Sequence, residues 1–258
     1  MSRRRFQHAA PRRRVHPLAI TAAGLALLVL ASFAVARSGG KPRQQQTLPN
    51  QQLITVHPPA GDQEPSAPQQ VGVDVPWPND LTWITVAGLD LPVSATAGPR
   101  DLSNGRARGF AHTPPGAVLA TLHLLVRTSP QVGSRVWEPT LREQVVGPDV
   151  AAYVDAVAQN YAVAREQLQI PYGDPLAPIY ASIAGVRIDS YHPQAASLRL
   201  LIEAPDGEGG VARAATMVQV SWSGTDWQLI APPRGDWSTV RALVGPAVVR
   251  GYTPLPGR

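Results

Sequence analysis

Apolar and polar side chains alternate through residues 196–231, ASLRLLIEAPDGEGGVARAATMVQVSWSGTDWQLIA. This period of two is typical of strands that bury one face. Together with the residues just before it, the stretch predicts four antiparallel strands, at 179–191, 196–204, 211–222 and 227–231. Asp206-Gly207 with Gly209-Gly210, and residues 223–226, are the predicted hairpin turns. One face of the sheet is apolar, so we expect helices to pack on that side.

Helices precede these strands. Thr113 can accept a hydrogen bond from an unpaired backbone N–H, and the two prolines after it are tolerated in a first turn, so we predict a helix start here. Residues 117–127 are apolar almost all round, which predicts a helix buried on most sides. A second helix is predicted at 150–168 and ends before Pro171. Shorter elements are a predicted strand at 82–86, an apolar run at 89–93 and a predicted helical turn at 237–243. Helices followed by long antiparallel strands indicate an α+β fold.

An uncharged stretch near the N-terminus, LAITAAGLALLVLASFAVA, occupies residues 18–36. As a helix at about 1.5 Å per residue it covers most of a hydrocarbon core of about 30 Å, so we interpret it as one transmembrane helix. Six arginines and no acid precede it within residues 1–16, which favours a cytoplasmic N-terminus and an exported C-terminal part. We therefore expect a single-pass protein of the cell membrane, with the lipid bilayer as one partner.

A second interpretation of this segment stays open. Ser2-Arg3-Arg4-Arg5-Phe6 resembles a twin-arginine export signal, and Ala34-Val35-Ala36 has the small-x-small pattern that signal peptidase prefers. On that interpretation the span is cleaved rather than retained. We favour the retained anchor, because a second arginine triplet separates Phe6 from the apolar run. In both cases the C-terminal domain lies outside the cytoplasm.

The chain therefore divides into four parts: a basic cytoplasmic tail at 1–17, the transmembrane helix at 18–36, a Pro/Gln-rich disordered tether at 37–70, and an exported α+β domain at 71–258. Residues 1–43 carry nine basic side chains and no acid, so this segment accounts for the positive sign of the net charge of +5. The exported domain carries fourteen arginines against sixteen acids, so we expect no direct nucleic-acid partner. The absence of cysteine excludes disulfides and thiolate metal ligands.

This organisation resembles that of the bitopic assembly proteins of bacterial type IV secretion and conjugation systems. The resemblance implies an exported domain with the cone-shaped fold of nuclear-transport-factor and cystatin relatives, in which helices pack on a curved antiparallel sheet. Residues 88–92 (GLDLP), Gly98-Pro99 and residues 109–117 (GFAHTPPGA) are also similar to uncharacterised membrane proteins carried by mobile elements of high-GC Gram-positive bacteria. Cone domains of this kind include enzymes, ligand binders and scaffolds, so the fold alone selects no function.

Acid–base or metal chemistry in the exported domain would depend on a few side chains. The candidates are His112, His123, His192, Asp189 and Tyr191. No His-x-x-x-His spacing, paired carboxylate, Gly-x-Ser-x-Gly elbow or phosphate-binding glycine loop accompanies them. We therefore interpret His123 as a core or rim histidine and predict no enzyme, no cofactor and no metal. An acid–base pair of His123 and Asp189 is the enzymatic alternative.

The leading hypothesis is a membrane-anchored, non-enzymatic assembly or scaffold component of a conjugation or secretion machine. Its exported domain would contact other envelope or transport-machine proteins and could form a homo-oligomer. Trp237 is the interface candidate, since exposed aromatic side chains are favoured at interfaces. Trp222 and Trp227 are instead expected to lie in the hydrophobic core or to pair across their hairpin.

The alternative hypothesis is an extracytoplasmic small-ligand binding or sensing domain. On this hypothesis a cavity between the first helix and the sheet is lined by Leu119, Leu122 and His123.

Overall fold

A computed structural model of the protein describes residues 74–176 and 178–257. In chain order the elements are β1 (Thr82–Val86), β2 (Leu89–Val93), α1 (Pro114–Arg127), α2 (Ser134–Gln144), β3 (Val145–Val146), α3 (Val150–Leu168), β4 (Ser182–His192), β5 (Ala195–Pro205), β6 (Val211–Trp222), β7 (Trp227–Ile230), β8 (Arg241–Leu243) and β9 (Thr253–Pro254). Helices packed on a sheet give the α+β class that the sequence predicts.

The main sheet has the strand order β3-β7-β6-β5-β4-β9, and β8 pairs with β6 beside this path. Strands β4 to β7 form an antiparallel meander, whereas the two-residue β3 pairs with β7 in parallel. The predicted strands and both hairpin turns are confirmed, and the predicted bounds of β6 agree with those observed. Strand β1 lies at its predicted position, and the apolar run at 89–93 is strand β2, which pairs with β1 in a separate hairpin.

Helix α1 is the centre of the helical layer. The side chain of Thr113 accepts a hydrogen bond from the backbone N–H of Gly116, and the prolines occupy the first turn, as predicted. The helix contacts β2, α2 and the strands β4 to β7. Residues 117–124 are therefore buried on every side, which explains a sequence that is apolar almost all round.

Two elements differ from the sequence-based expectation. The sequence pattern predicts no helix between residues 127 and 150, but the structure has the eleven-residue helix α2 there, which contains Pro139. Residues 237–243 were predicted to form a helical turn; they form a 3-10 turn at Trp237–Val240 and then the strand β8. Helix α2 buries Trp137, Leu141 and Gln144 on one face, and the side chain of Asp236 caps the 3-10 turn by accepting from the backbone N–H of Ser238.

The sheet has an inner face, which packs on the helices, and an outer face. We call residues 244–257 the C-terminal strap. They cover one end of the outer face, where Leu201, Ala215 and Tyr252 form a small buried cluster. The strap also meets the start of the domain, because the backbone N–H of Val75 donates to Thr253 Oγ1 over 3.2 Å.

The predicted cytoplasmic tail, transmembrane helix and tether lie outside the described residues. Within the part of the chain that the structure describes, none of the helices is both long enough and apolar enough to cross a membrane.

Candidate functional site

His123 lies wholly inside the protein on α1. Its Nε2–H donates to the carbonyl oxygen of Pro92 over 2.8 Å, and its Nδ1 accepts from Arg127 Nη1 over 2.7 Å. This assignment follows because a guanidinium only donates and a carbonyl only accepts. Burial, and then the neighbouring guanidinium, lower the pKa of His123 to about 3, so the imidazole is neutral at physiological pH.

Arg127 follows one helical turn later and is only 5% exposed. Burial lowers the pKa of its guanidinium to about 10, which leaves it charged at neutral pH. No acid of the described residues forms an ion pair with it, and its Nε has no hydrogen-bond partner there. The charge lies in the last turn of α1, where the helix carbonyls favour a cation. His123 and Arg127 thus form a buried, hydrogen-bonded polar pair in the core.

The predicted cavity residues Leu119 and Leu122 are also fully buried on α1. They belong to the same core cluster as the inner face of the sheet. His123 is therefore a core histidine, as interpreted from the sequence, while the ligand cavity at these three residues stays a prediction.

Asp189 and His123 are not brought together. The carboxylate of Asp189 binds Arg187 and Arg199, whereas the imidazole binds Pro92 and Arg127. Arg199 alternates along β5 with the core residues Leu198 and Leu200, so it lies on the outer face. The sheet therefore separates the two groups of the enzymatic alternative, and they cannot act as an acid–base pair.

The predicted pairing of Trp222 with Trp227 is confirmed. The two residues are direct register partners, and their rings are 5.4 Å apart in a T-shaped arrangement. His112, in the loop before α1, stacks on Trp222 with a centroid distance of 4.1 Å, and its Nε2 contacts the carbonyl oxygen of Pro193. These contacts fasten the start of α1 to the hairpin between β6 and β7. His192 is exposed at the end of β4.

Trp237 is half-buried and joined to the helical layer. Its indole N–H donates to Tyr153 Oη over 2.9 Å, and Tyr153 Oη donates to Thr128 Oγ1 over 2.9 Å. The two rings also meet at nearly a right angle, with centroids 5.9 Å apart. Trp237 thus has an internal anchoring contact, and its role at an interface stays a prediction.

The outer face of the sheet carries a cluster that we call the outer-face arginine site: Arg187, Asp189 and Arg199. Arg187 Nε donates to Asp189 Oδ1 over 2.8 Å, and Arg199 Nη2 donates to Oδ2 over 2.9 Å. The two arginines are direct register partners on β4 and β5. Like charges placed opposite each other repel, and the shared carboxylate between them offsets that repulsion.

A β-bulge places the carboxylate between the arginines. Ile188 pairs with Leu198 and Ser190 pairs with Ser197, so Asp189 is the extra residue of β4 without a partner on β5. The side chain of Asp189 is only 11% exposed, against 22% for Arg187 and 36% for Arg199. The arginines therefore cover the acid and present positive charge to the solvent.

The surroundings of the site divide the outer face into two halves. Tyr252 of the strap lies under the Arg187 guanidinium, 5.6 Å from the ring centroid, and marks the border of the covered apolar half. On the other side Met217 pairs with Arg199, and Gln219 pairs with Ser197. Gln219 is exposed and Met217 half-buried, so this half is open in the described part of the chain.

Sequence reasoning missed this site. It named Asp189, but as a candidate for acid–base or metal chemistry, and it named neither arginine. The available signal was the Arg-x-Asp spacing at 187 and 189 with Arg199 on the next strand. Bringing the three together requires the strand register and the bulge.

Comparison with known proteins assigns the chain to a protein family. The model of a family described as a domain of unknown function, DUF8175, matches residues 40–253. The chain belongs to this family. The DUF8175 match begins inside the segment interpreted as a tether and ends in β9, so the outer-face arginine site lies within it. No curated protein and no solved structure matches the chain. Within the described ranges of this DUF8175 protein, no cluster of His, Asp and Glu could hold a metal ion.

Proposed function

We propose that this DUF8175 protein is a membrane-anchored, non-enzymatic assembly component of a conjugation or secretion machine. Residues 18–36 would hold it in the bilayer as a single-pass protein, with the N-terminus in the cytoplasm and the domain outside. The domain would act through contacts with other envelope proteins, and with a second copy of itself. We also propose the nuclear-transport-factor-like cone as its fold, which the helical layer on one face and the bulged strand β4 support.

The observation that carries this proposal is the open half of the outer face. A fixed pair of arginines beside Met217 and Gln219 offers charge, hydrogen-bond donors and a flexible apolar side chain on a rigid sheet. Arginine and methionine are enriched at protein interfaces, and preorganised side chains lose little entropy on binding. The fixed internal partners of His123 and Asp189 are consistent with a role in binding rather than in catalysis.

Deletion of the gene from its host element, followed by complementation, tests the proposed function. We expect loss of transfer of the element and its restoration by the intact gene. Membrane fractionation in the same strain should recover the full-length chain in the membrane, and crosslinking from the exported domain should identify machine subunits. Unchanged transfer after deletion would contradict the assembly role. A soluble product beginning near Arg37 would contradict the anchor and favour the cleaved signal.

A second candidate function is the binding of a small extracytoplasmic ligand near Leu119, Leu122 and His123. The observation that favours it is Arg127, a buried cation without an acidic partner among the described residues. Such a guanidinium could bind the carboxylate of a small molecule. Titration with small carboxylic acids, followed by the melting temperature of the wild type and of Arg127→Met, tests this. If none of the acids raises the melting temperature of the wild type, this second candidate function is wrong.

A further inference from the structure

The outer-face arginine site carries more positive charge than its own acid neutralises. Arg187 and Arg199 share the single carboxylate of Asp189, which leaves a surplus of one positive charge. The nearest acid along β5 is Glu203, and it is paired with Arg213 over 2.7 Å. Among the described residues, no other acid forms an ion pair with Arg187 or Arg199. The surplus is therefore available to an acidic group from outside the domain.

The free donors of the site have a defined position. Arg187 uses Nε for Asp189, and Arg199 uses Nε and Nη2, so N–H groups of both guanidinium ions keep no partner in the described part of the chain. The shared carboxylate fixes one side of each guanidinium. The guanidinium of Arg187 also packs on the ring of Tyr252. A carboxylate approaching from solvent would find planar donors already in place, which suits bidentate recognition.

The size of the surplus helps to identify the occupant. Recognition of anionic lipid generally needs a cluster of about four to eight basic residues, since each contributes only about 1 kcal/mol near the surface. The site has two arginines and one acid. A single directed carboxylate, flanked by contacts to Met217 and Gln219, fits this arrangement better than a lipid surface does.

We propose that the open half of the outer face binds an acidic segment of a partner protein, with one Asp or Glu carboxylate bound by Arg187 and Arg199. Met217 packs against the neighbouring side chain of the segment, while Ser197 and Gln219 contact its polar groups. This proposal deepens the proposed function and rests on it for the presence of a protein partner.

A glutamate-rich peptide is a direct probe of this site. The full-length protein, purified in a nonionic detergent, is titrated with a fluorescent hexaglutamate peptide, and fluorescence anisotropy reports binding. We expect Arg187→Gln/Arg199→Gln to weaken binding by about ten-fold or more, as expected for lost charge-assisted hydrogen bonds. The matched control Arg135→Gln removes an exposed arginine of α2, away from the outer face, and should leave binding within about two-fold.

A further variant separates binding from folding. The double variant leaves Asp189 without its partners, so Arg187→Gln/Asp189→Asn/Arg199→Gln removes all three charges together and should keep a wild-type melting temperature. Its binding of hexaglutamate should be as weak as that of the double variant. Equal binding by the wild type and the triple variant would overturn the proposal. Equal binding of hexaglutamate and hexaglutamine by the wild type would also overturn it.

Two further outcomes separate the possible causes of failure. If phosphatidylglycerol vesicles bind through the arginines but hexaglutamate does not, the surface recognises lipid and the proposal is wrong. If gene deletion abolishes transfer while the wild-type protein does not bind hexaglutamate, the proposed function is supported and this inference is wrong. If hexaglutamate binds through the arginines but deletion leaves transfer unchanged, the surface stands and the assignment to a transport machine fails.

Discussion

At the scale of single residues, His123 and Arg127 show how burial sets the state of a polar pair. Burial lowers the pKa of both groups, of the imidazole to about 3 and of the guanidinium to about 10. At neutral pH the imidazole is consequently uncharged and can accept from the guanidinium. Protonation of His123 would remove that acceptor and place two cations side by side, so the pair makes the core sensitive to acid.

This pair predicts a loss of stability at mildly acidic pH. An unfolded histidine titrates near pH 6.5, and the folded one near 3, so the unfolded state binds the proton first as the pH falls. The contribution of His123 to the free energy of unfolding should be constant above pH 6.5. Below that pH it should fall by about 1.4 kcal/mol per pH unit toward pH 3. Urea unfolding of the wild type and of His123→Asn between pH 7 and pH 4 measures the difference.

The comparison with His123→Asn isolates the histidine. Asp80, Glu143 and Asp236 have lowered pKa values from hydrogen bonds to neighbouring groups, and they also lose stabilising interactions in acid. These groups are common to both proteins, so their effect cancels in the difference. Parallel stability curves for the wild type and the variant would show that His123 does not carry the pH dependence.

Arg127 allows a test of whether a buried charge stabilises the core. Arg127→Met keeps most of the side-chain volume and removes the buried cation, but it leaves Nδ1 of His123 without its donor. The free energy of unfolding at pH 7 should therefore fall by about 1 kcal/mol. Arg127→Ala also removes the packed aliphatic part and should cost about 2 kcal/mol. Urea unfolding of the two variants compares them. A larger loss for the methionine than for the alanine variant would contradict this account.

At the scale of elements, the start of α1 depends on a close approach of backbone to backbone. A Cβ on Gly116 would lie 2.0 Å from the carbonyl oxygen of Ala111, whereas a Cβ on Gly245 would meet nothing within 4 Å. Neither glycine has a positive φ, so space alone distinguishes them. The conflict at Gly116 involves backbone atoms, which cannot move aside as a side chain could.

We therefore expect Gly116→Ala to destabilise the protein by about 3 kcal/mol, the upper end of the usual cost of overpacking. The matched control Gly245→Ala should change the free energy of unfolding by less than about 0.5 kcal/mol. Thermal unfolding followed by circular dichroism measures both. Similar melting temperatures for the two variants would mean that the loop before α1 adapts, and that its contact with the helix does not determine the helix start.

The elements also show what the sequence could predict. Alternation and turn residues predict β6 and its hairpins, and Thr113 with its prolines predicts the start of α1, because these signals are local. Helix α2 was missed because Pro139 interrupts its pattern. The outer-face arginine site was missed for another reason. The register that sets Arg187 opposite Arg199, and the bulge that adds Asp189, depend on contacts between strands that no local pattern encodes.

At the scale of the whole molecule, the strap joins the two ends of the domain. Trp77 Nε1 donates to the carbonyl oxygen of Pro254, and β9 pairs with β4 beside Gly185 and Val186. The same strap buries Leu201 and places Tyr252 beside Arg187. Stability of the domain and the geometry of the proposed contact surface are therefore coupled through one aromatic side chain.

Tyr252 tests this coupling. Its ring belongs to the buried cluster with Leu201 and Ala215, and its hydroxyl has no hydrogen-bond partner among the described residues. Tyr252→Ala should cost about 3 kcal/mol of stability, since it removes a buried aromatic ring, and should weaken hexaglutamate binding because Arg187 loses its support. Tyr252→Phe keeps the ring and should preserve both properties. Urea unfolding measures the stability, and fluorescence anisotropy on the same samples measures the binding of hexaglutamate.

If Tyr252→Ala lost stability while binding stayed at the wild-type level, the strap would stabilise the sheet without positioning Arg187, and the coupling would be wrong.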